Sequence, residues 1–264
     1  MSSPMNVLAF DIETVPDVTG GRRLYNLGDN LSDDDVTKVM FNKRRDKIGN
    51  EFLPAHLQQV VAISAVYRNS QNNSFKVWTL GDEASSEAEM IQRFFEGIDK
   101  FTPTLVTWNG SGFDLPVLQQ RGLVTGVQAP RYWDTGEDDQ QFKWNNYISR
   151  YHARHCDLMD VMASYNPRAN APLDEMAVLL GFSGKMGMDG SKVCDAYLNG
   201  KIKEIRDYCE TDALNTYLVY LQWLYMKGSL TQESLAAEHA LAMENLVKGA
   251  SHLQEFAQVW SANS

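Results

Sequence analysis

Apolar positions along this 264-residue chain alternate between strand-like and helix-like spacing, and that alternation outlines its elements. Residues 6–13 pass through Val7, Leu8, Ala9 and Phe10 before Asp11, Ile12 and Glu13, which predicts a buried strand with a polar end. The apolar runs 60–68 and 75–80 flank the polar NSQNNS, the pattern of an antiparallel hairpin. Over 86–101, Met90, Ile91, Phe94, Phe95 and Ile98 fall at helical spacing, predicting a crossover helix. A fourth strand follows at 104–108, broken by Asn109-Gly110-Ser111-Gly112, and a short helix starts near Asp114 with Pro116 in its first turn. The segment 155–159 is a fifth strand.

Beyond it the pattern is almost wholly helical, over 172–180, 191–198 and 202–226. A last helix is expected from a Ser229/Gln232 capping box toward Trp260. Two irregular stretches remain: 15–58, with a Ser-capped helix start in LSDDDVTKVM, and 122–152. Strands first, one crossover, then helices make an α/β domain with a mixed five-stranded sheet. The expected division is 1–228 for the main domain and 229–264 for a C-terminal helical extension. An apolar stripe in that extension (Leu235, Ala242, Leu246, Leu253, Phe256) would cap the domain or join two copies, and capping is the expectation.

Composition adds exclusions. At 44% hydrophobic residues the chain can bury a large core, and its longest apolar stretch, around 60–67, is too short to span a bilayer. The start has no basic region followed by a long apolar one, so no signal peptide is expected. The three cysteines (Cys156, Cys194, Cys209) form no CxxC pair and suggest neither a disulfide framework nor a thiolate metal site; a reducing cytoplasm is the default location. Against 34 acidic residues stand 24 Lys and Arg, a formal net charge of -10 that argues against broad attraction to phosphates.

Candidate chemistry begins at FDIET, residues 10–14. Side chains two positions apart on a strand share a face, so Asp11 and Glu13 put two like charges side by side next to a core. That is costly unless a cation sits between them. Asp114 follows the glycine-containing turn after the fourth strand, and in YCETDALNTY Tyr208 and Asp212 lie four apart on one helix face. Four carboxylates suit a pair of hard divalent cations, magnesium or manganese.

The order Asp-x-Glu, Asn…Phe-Asp, Tyr-x-x-x-Asp resembles the three exonuclease motifs of the DEDD superfamily of 3′–5′ exonucleases, tyrosine branch, on the ribonuclease H-like fold. HCDLMD at 155–160, GMDG at 187–190 and YCETD at 208–212 further resemble the bacterial predicted 3′–5′ exonucleases related to the proofreading domain of family B DNA polymerases. The resemblance runs from about Leu8 to Tyr220. It implies Asp11, Glu13, Asp114, Tyr208 and Asp212 as catalytic residues. Asp11 would bridge two ions, Glu13 and Asp212 would complete the first site and Asp114 would serve the second, with Tyr208 orienting the attacking water. Thr14, Asn109 and Phe113 are carried over as the pocket for the terminal nucleotide, while His155 and Asp157 are expected as scaffold.

The implied activity is metal-dependent release of nucleoside 5′-monophosphates from single-stranded 3′ ends, DNA favoured. An RNA-directed exonuclease and a non-catalytic binding module of the same fold are the alternatives. Partners would be single-stranded 3′ ends, with DNA repair or replication proteins as associates. Cations for the strand are expected in two long loops: Arg22, Arg23, Lys43, Arg44 and Arg45 in the first, and Arg131 and Lys143 beside Trp133 and Trp144 in the second.

Overall fold

The structure, a computed structural model, describes residues 5–263. Its strands are β1 (Asn6–Pro16), β2 (Gln58–Asn69), β3 (Ser74–Thr79), β4 (Thr104–Thr107) and β5 (His155–Asp157). They form one sheet in the order β3-β2-β1-β4-β5. β2 pairs antiparallel with both β1 and β3, whereas β4 lies parallel to β1 and to β5. The chain is therefore α/β with a mixed five-stranded sheet flanked by helices, as the ribonuclease H-like expectation required. The return from β3 to a parallel β4 needs a crossover, and α3 (Glu87–Phe101) supplies it after α1 (Val18–Tyr25) and α2 (Asp33–Ile48). Then follow α4 (Asp114–Thr125), α5 (Pro130–Trp133), α6 (Leu158–Met162), α7 (Leu173–Leu179), α8 (Val193–Leu198), α9 (Ile202–Met226), α10 (Gln232–Leu246) and α11 (Ser251–Asn263).

The period of two in β1 divides the core. Val7 and Ala9 join Val66, Val106 and the apolar face of α9 in one cluster. Leu8, Phe10 and Ile12 join Ile63, Leu105 and the apolar residues of α3 and α4 on the opposite face. α9 is the longest helix, and its stretch from Ala213 to Leu221 is buried throughout because α10 and α11 cover the side the sheet does not. All five residues of the C-terminal stripe are buried within this chain, so it caps the body. Arg68 on β2 ties α10 down: its guanidinium meets Glu238 at 2.7 Å, and the Tyr217 hydroxyl donates to the same carboxylate at 3.0 Å.

Several boundaries differ from the sequence expectation. β1 continues past residue 13 to Pro16, through a bulge between Glu13 and Thr14, because β2 keeps pairing with it. The stretch 15–58 is largely helical. Ser32 and Asp35 form a full capping box for α2, which then runs through the basic cluster to Gly49 in the left-handed conformation. Lys43, Arg44 and Arg45 thus sit on a helix rather than a loop, and Arg22 and Arg23 sit on α1. The helix from Asp114 is not short, since it takes twelve residues. β5 stops at Asp157, whose carboxylate accepts the Asp160 N–H and starts α6.

The C-terminal segment is two helices, and Thr231, not Ser229, caps the first by accepting the Ser234 N–H. One straight helix over that span would be roughly 45 Å long and could not lay both halves of its stripe against α9. A turn closed by Gly249 N–H to the Leu246 carbonyl lets α11 fold back.

A buried ion cluster fastens the sheet's far face. Arg121 on α4 meets Asp17 at 2.6 Å and Glu87 at 2.7 Å, and also donates to the His56 carbonyl. Burial disfavours its charge, but the two carboxylates outweigh that and leave its pKa raised. Replacing Arg121 with Leu strands two carboxylates in the interior. The expected loss is roughly 3–5 kcal/mol of unfolding free energy in urea titrations; a change below about 1 kcal/mol would show the cluster to be dispensable.

Candidate active site

The alternation that puts Val7 and Ala9 against α9 continues along β1, so Asp11 and Glu13 come out on that same face. There they meet the first turns of α9. One donor atom each from Asp11, Glu13 and Cys209 lie within 4.8 Å of one another, and Cys209 Sγ sits 3.3 Å from the Asp11 carbonyl and 3.7 Å from its carboxylate. Glu13 is 8% exposed and Asp114 4%, unusual for carboxylates without a salt bridge.

β4 brings the second element. It ends in a turn in which Asn109 adopts a left-handed φ of 66°. Gly110 is required there, because a Cβ at that position would meet Thr107 Oγ1 at 2.3 Å. Asp157, at the end of neighbouring β5, accepts the Asn109 N–H at 2.9 Å and the Ser111 N–H at 2.8 Å, which fixes how the turn enters α4. His155 and Thr107 are joined by a 2.8 Å hydrogen bond between the same two strands, and burial lowers the His155 pKa to about 4. Asp114 opens α4 directly after this turn. Its own backbone N–H and that of Ile12 on β1 stabilise its carboxylate, so the second motif closes onto the first.

Electrostatics measure the convergence. Burial raises the pKa of Asp11 well above the usual range, and the charges of Asp114, Glu13 and Asp212 raise it further. Glu13 is raised by burial and then by Asp212 and Asp114, while the charge of Lys185 opposes the shift. Burial lifts Asp114 to about 7, with Asp157 adding to it against the two backbone N–H groups. Asp212 is lifted to about 6 by burial, partly offset by a hydrogen bond with Tyr208 and by Lys185. Burial and the same carboxylates hold the Tyr208 hydroxyl far above its ordinary pKa, so it stays a neutral donor at physiological pH. Residues separated by two hundred positions thus share one field.

The residues predicted for the terminal nucleotide lie around this cluster with different commitments. The Thr14 hydroxyl donates to Gln58 Oε1 at 2.9 Å. Asn109 is exposed, and Phe113 is half-buried with its ring 5.6 Å from that of Phe52. Of the cations expected to hold a strand, Arg22 is engaged with Asp33 and two carbonyls, Arg44 with the Phe52 carbonyl and Arg45 with Glu51. Lys43 lies over the Tyr25 ring. In the second stretch Arg131 pairs with Asp139 at 3.0 Å, whereas Trp144 is 77% exposed.

Three contributors were not legible as such in the sequence. Lys185 belongs to a loop with no periodic signal and is placed by the tertiary fold beside Glu13 and Asp212. Cys209 reads as a helix residue and proves to contact Asp11. His252 of α11 reaches back to the first turns of α9, with Nε2 at 2.8 Å from Glu210 and Nδ1 at 3.3 Å from Asp207. Thr79 of β3 donates to the other oxygen of Glu210.

The donor set suits a hard divalent cation. Burial penalises the charged form of all four carboxylates, their neighbours penalise Asp11 and Glu13 further, and Lys185 offsets part of the penalty at Glu13 and Asp212. Further positive charge placed among them removes the remainder.

Comparison with known proteins identifies the lineage. Residues 50–260 match the family described as predicted 3′–5′ exonuclease related to the exonuclease domain of PolB. β1, which carries Asp11 and Glu13, precedes that span. The chain is also similar to the catalytic subunit of DNA polymerase epsilon from Emericella nidulans, 28% identical over 145 residues, which is 53% of this chain and 6% of that protein. A DNA polymerase of Pyrococcus glycovorans is 27% identical over 151 residues, 56% of this chain and 20% of the polymerase. The corresponding epsilon polymerase of Saccharomyces cerevisiae is 23% identical over 146 residues, 53% of this chain and 6% of that protein. The similar region is thus a small part of each polymerase. With most of its length matched, the chain belongs to the family of predicted 3′–5′ exonucleases related to the exonuclease domain of PolB, and it carries a 3′–5′ exonuclease domain.

Proposed function

We propose that this chain hydrolyses single-stranded nucleic acid from the 3′ end, DNA in preference to RNA, and releases nucleoside 5′-monophosphates. One observation carries the reading: Asp11 and Glu13 lie together, and burial and the charges of Asp114 and Asp212 hold both carboxyls up, beside a Tyr208 that remains neutral. Asp11 would be shared by two divalent cations, magnesium or manganese, with Glu13 and Asp212 helping to hold one and Asp114 the other. Bound there, such a pair supplies an activated water and neutralises charge at the leaving oxygen.

The side chains contribute the rest. Tyr208, hydrogen-bonded with Asp212, keeps its proton and positions the attacking water in line with the scissile P–O3′ bond. Cleavage of that bond leaves the 3′-hydroxyl on the shortened strand and the phosphate on the departing nucleotide. Asn109 and Phe113, presented by the turn that Asp157 holds, receive the terminal nucleotide together with Thr14. The pair α10–α11, the 229–264 extension, acts as a buttress that keeps the first turns of α9 in register with β1 through His252 and Glu210. The similarity to DNA polymerases supports trimming of ends during DNA replication or repair, in association with proteins of those processes.

The defining assay uses purified protein and 5′-labelled single-stranded DNA and RNA, with and without manganese. A ladder shortening from the 3′ end, absent for Asp11→Asn, is expected; endonucleolytic fragments, or digestion surviving that substitution, would refute the mechanism. Tyr208→Phe is expected to lower kcat by about 10²-fold with little change in KM. Binding is read without turnover by thermal unfolding. Manganese should raise the wild-type midpoint, with about 1 kcal/mol of binding giving roughly 2–4 °C. Asp11→Asn should raise the metal-free midpoint, since it removes one of the crowded charges, and should abolish the manganese shift. A manganese shift as large in the variant as in the wild type would mean the ion binds elsewhere.

A further inference from the structure

At the other end of the sheet lies a cleft of ≈ 1320 Å³ that the exonuclease chemistry does not use. Its floor is the beginning of β1 and β4 (Asn6, Val7, Thr104), one wall is the β5 edge with residues 150–153, and the opposite wall is the C-terminal end of α9 with the turn into α10. In a chain with 34 acidic residues, no Asp or Glu among the described residues lines it. Its cations are Arg150 and Lys227, and both hold aromatic rings: the Arg150 guanidinium lies 4.8 Å from the Tyr165 ring centroid and Lys227 Nζ lies 4.0 Å from that of Trp223. Neither makes a salt bridge with a described residue; Arg150 only influences Asp160, a carboxylate outside the lining. Tyr151 stands on the rim 87% exposed.

The backbone contributes a second observation. Ser164 and Tyr165 adopt left-handed φ values of 52° and 58° in succession, a conformation that a bulky residue adopts only under constraint from its surroundings. The strain sets the Tyr165 ring beneath Arg150 at the cleft wall. Exposed ring faces, positive charges not consumed by carboxylates and local freedom from acidic residues form a surface for an aromatic anion: bases stack on the rings and phosphates meet the cations.

We propose that this cleft is a second, metal-independent binding site for single-stranded nucleic acid, holding the body of the strand whose 3′ end reaches the carboxylate cluster. The assignment rests on the exonuclease reading for the identity of the strand. Asp212 and Trp223 are eleven residues apart on α9, about 16 Å along its axis, and the helix between them is buried, so a strand occupying both must pass over the surface around α9 and be several nucleotides long. Tyr151, exposed on the rim, gives stacking, which tolerates any base; Arg150 and Lys227 give the charge.

The test measures binding without turnover. Fluorescence anisotropy of a labelled single strand of about 12 nucleotides, DNA or RNA, is followed in EDTA with the full chain. Tyr151→Ala combined with Lys227→Gln should weaken binding by about tenfold or more. Arg150→Gln or Lys227→Gln should each make the dependence of log K on log salt shallower by about 0.7. Lys248→Gln, on the remote α10–α11 side, should change neither. The side chains of Arg150, Tyr151, Lys227 and Lys248 are exposed, so circular dichroism and unfolding midpoints of these variants should stay at wild-type values. Variants binding as the wild type does, or a salt slope unaltered by either cation, would overturn the proposal. Binding that follows these predictions in a protein showing no 3′ ladder would leave the cleft standing and sink the exonuclease mechanism instead.

Discussion

Four carboxylates held together with little water set the terms for this molecule. Burial raises the cost of ionising each of them, and at Asp11 and Glu13 the neighbouring carboxylates add to it. Such an arrangement opposes its own folding unless the surrounding scaffold is strong enough to hold it. The scaffold is strong where it needs to be: β1 is hydrogen-bonded on both sides, and α9 is buried along most of its length. The energy withheld by repulsion is available to whatever brings positive charge, which is how a site built only of acids acquires affinity for cations.

Three anchors keep the carboxylates from drifting apart. Asp157 ties the turn before α4 to the end of β5 through two backbone N–H groups. Glu210 is held between Thr79 of β3 and His252 of α11; burial would raise its pKa, but these hydrogen bonds prevail and leave it lowered. The Arg68–Glu238–Tyr217 cluster fixes α10 against β2 and α9. Each anchor joins elements distant in the chain, so the C-terminal helices form part of the support for the acidic cluster.

Charge is segregated as well as balanced. The chain is acidic overall, and Arg22, Arg44 and Arg45 after the first motif are engaged in structural contacts on α1 and α2. Positive charge next to exposed rings is found at the cleft between β5 and the end of α9, and at Lys143 over Trp144. An acidic protein that handles polyanions must confine its attraction to chosen surfaces, because its general field repels them.

Much was decided locally and can be read from the residues in order. Alternation in residues 6–13 determined that Asp11 and Glu13 share a face, four-residue spacing put Tyr208 and Asp212 on one side of a helix, and the glycines at 110 and 112 announced a tight turn before Asp114. The crossover between β3 and β4 and the mixed sheet followed from the change in period. Local pattern failed where capping and pairing compete: it hid the helical course of the basic cluster in α2, placed the last cap at Ser229 instead of Thr231, and merged α10 with α11. Long-range packing alone decided that Lys185 and Cys209 approach the acidic cluster, that His252 reaches Glu210, and that Arg150 and Lys227 share one cleft with Trp223. Periodicity reports which side of an element is apolar, whereas proximity between elements depends on how their apolar sides are buried together, and no single segment contains that information.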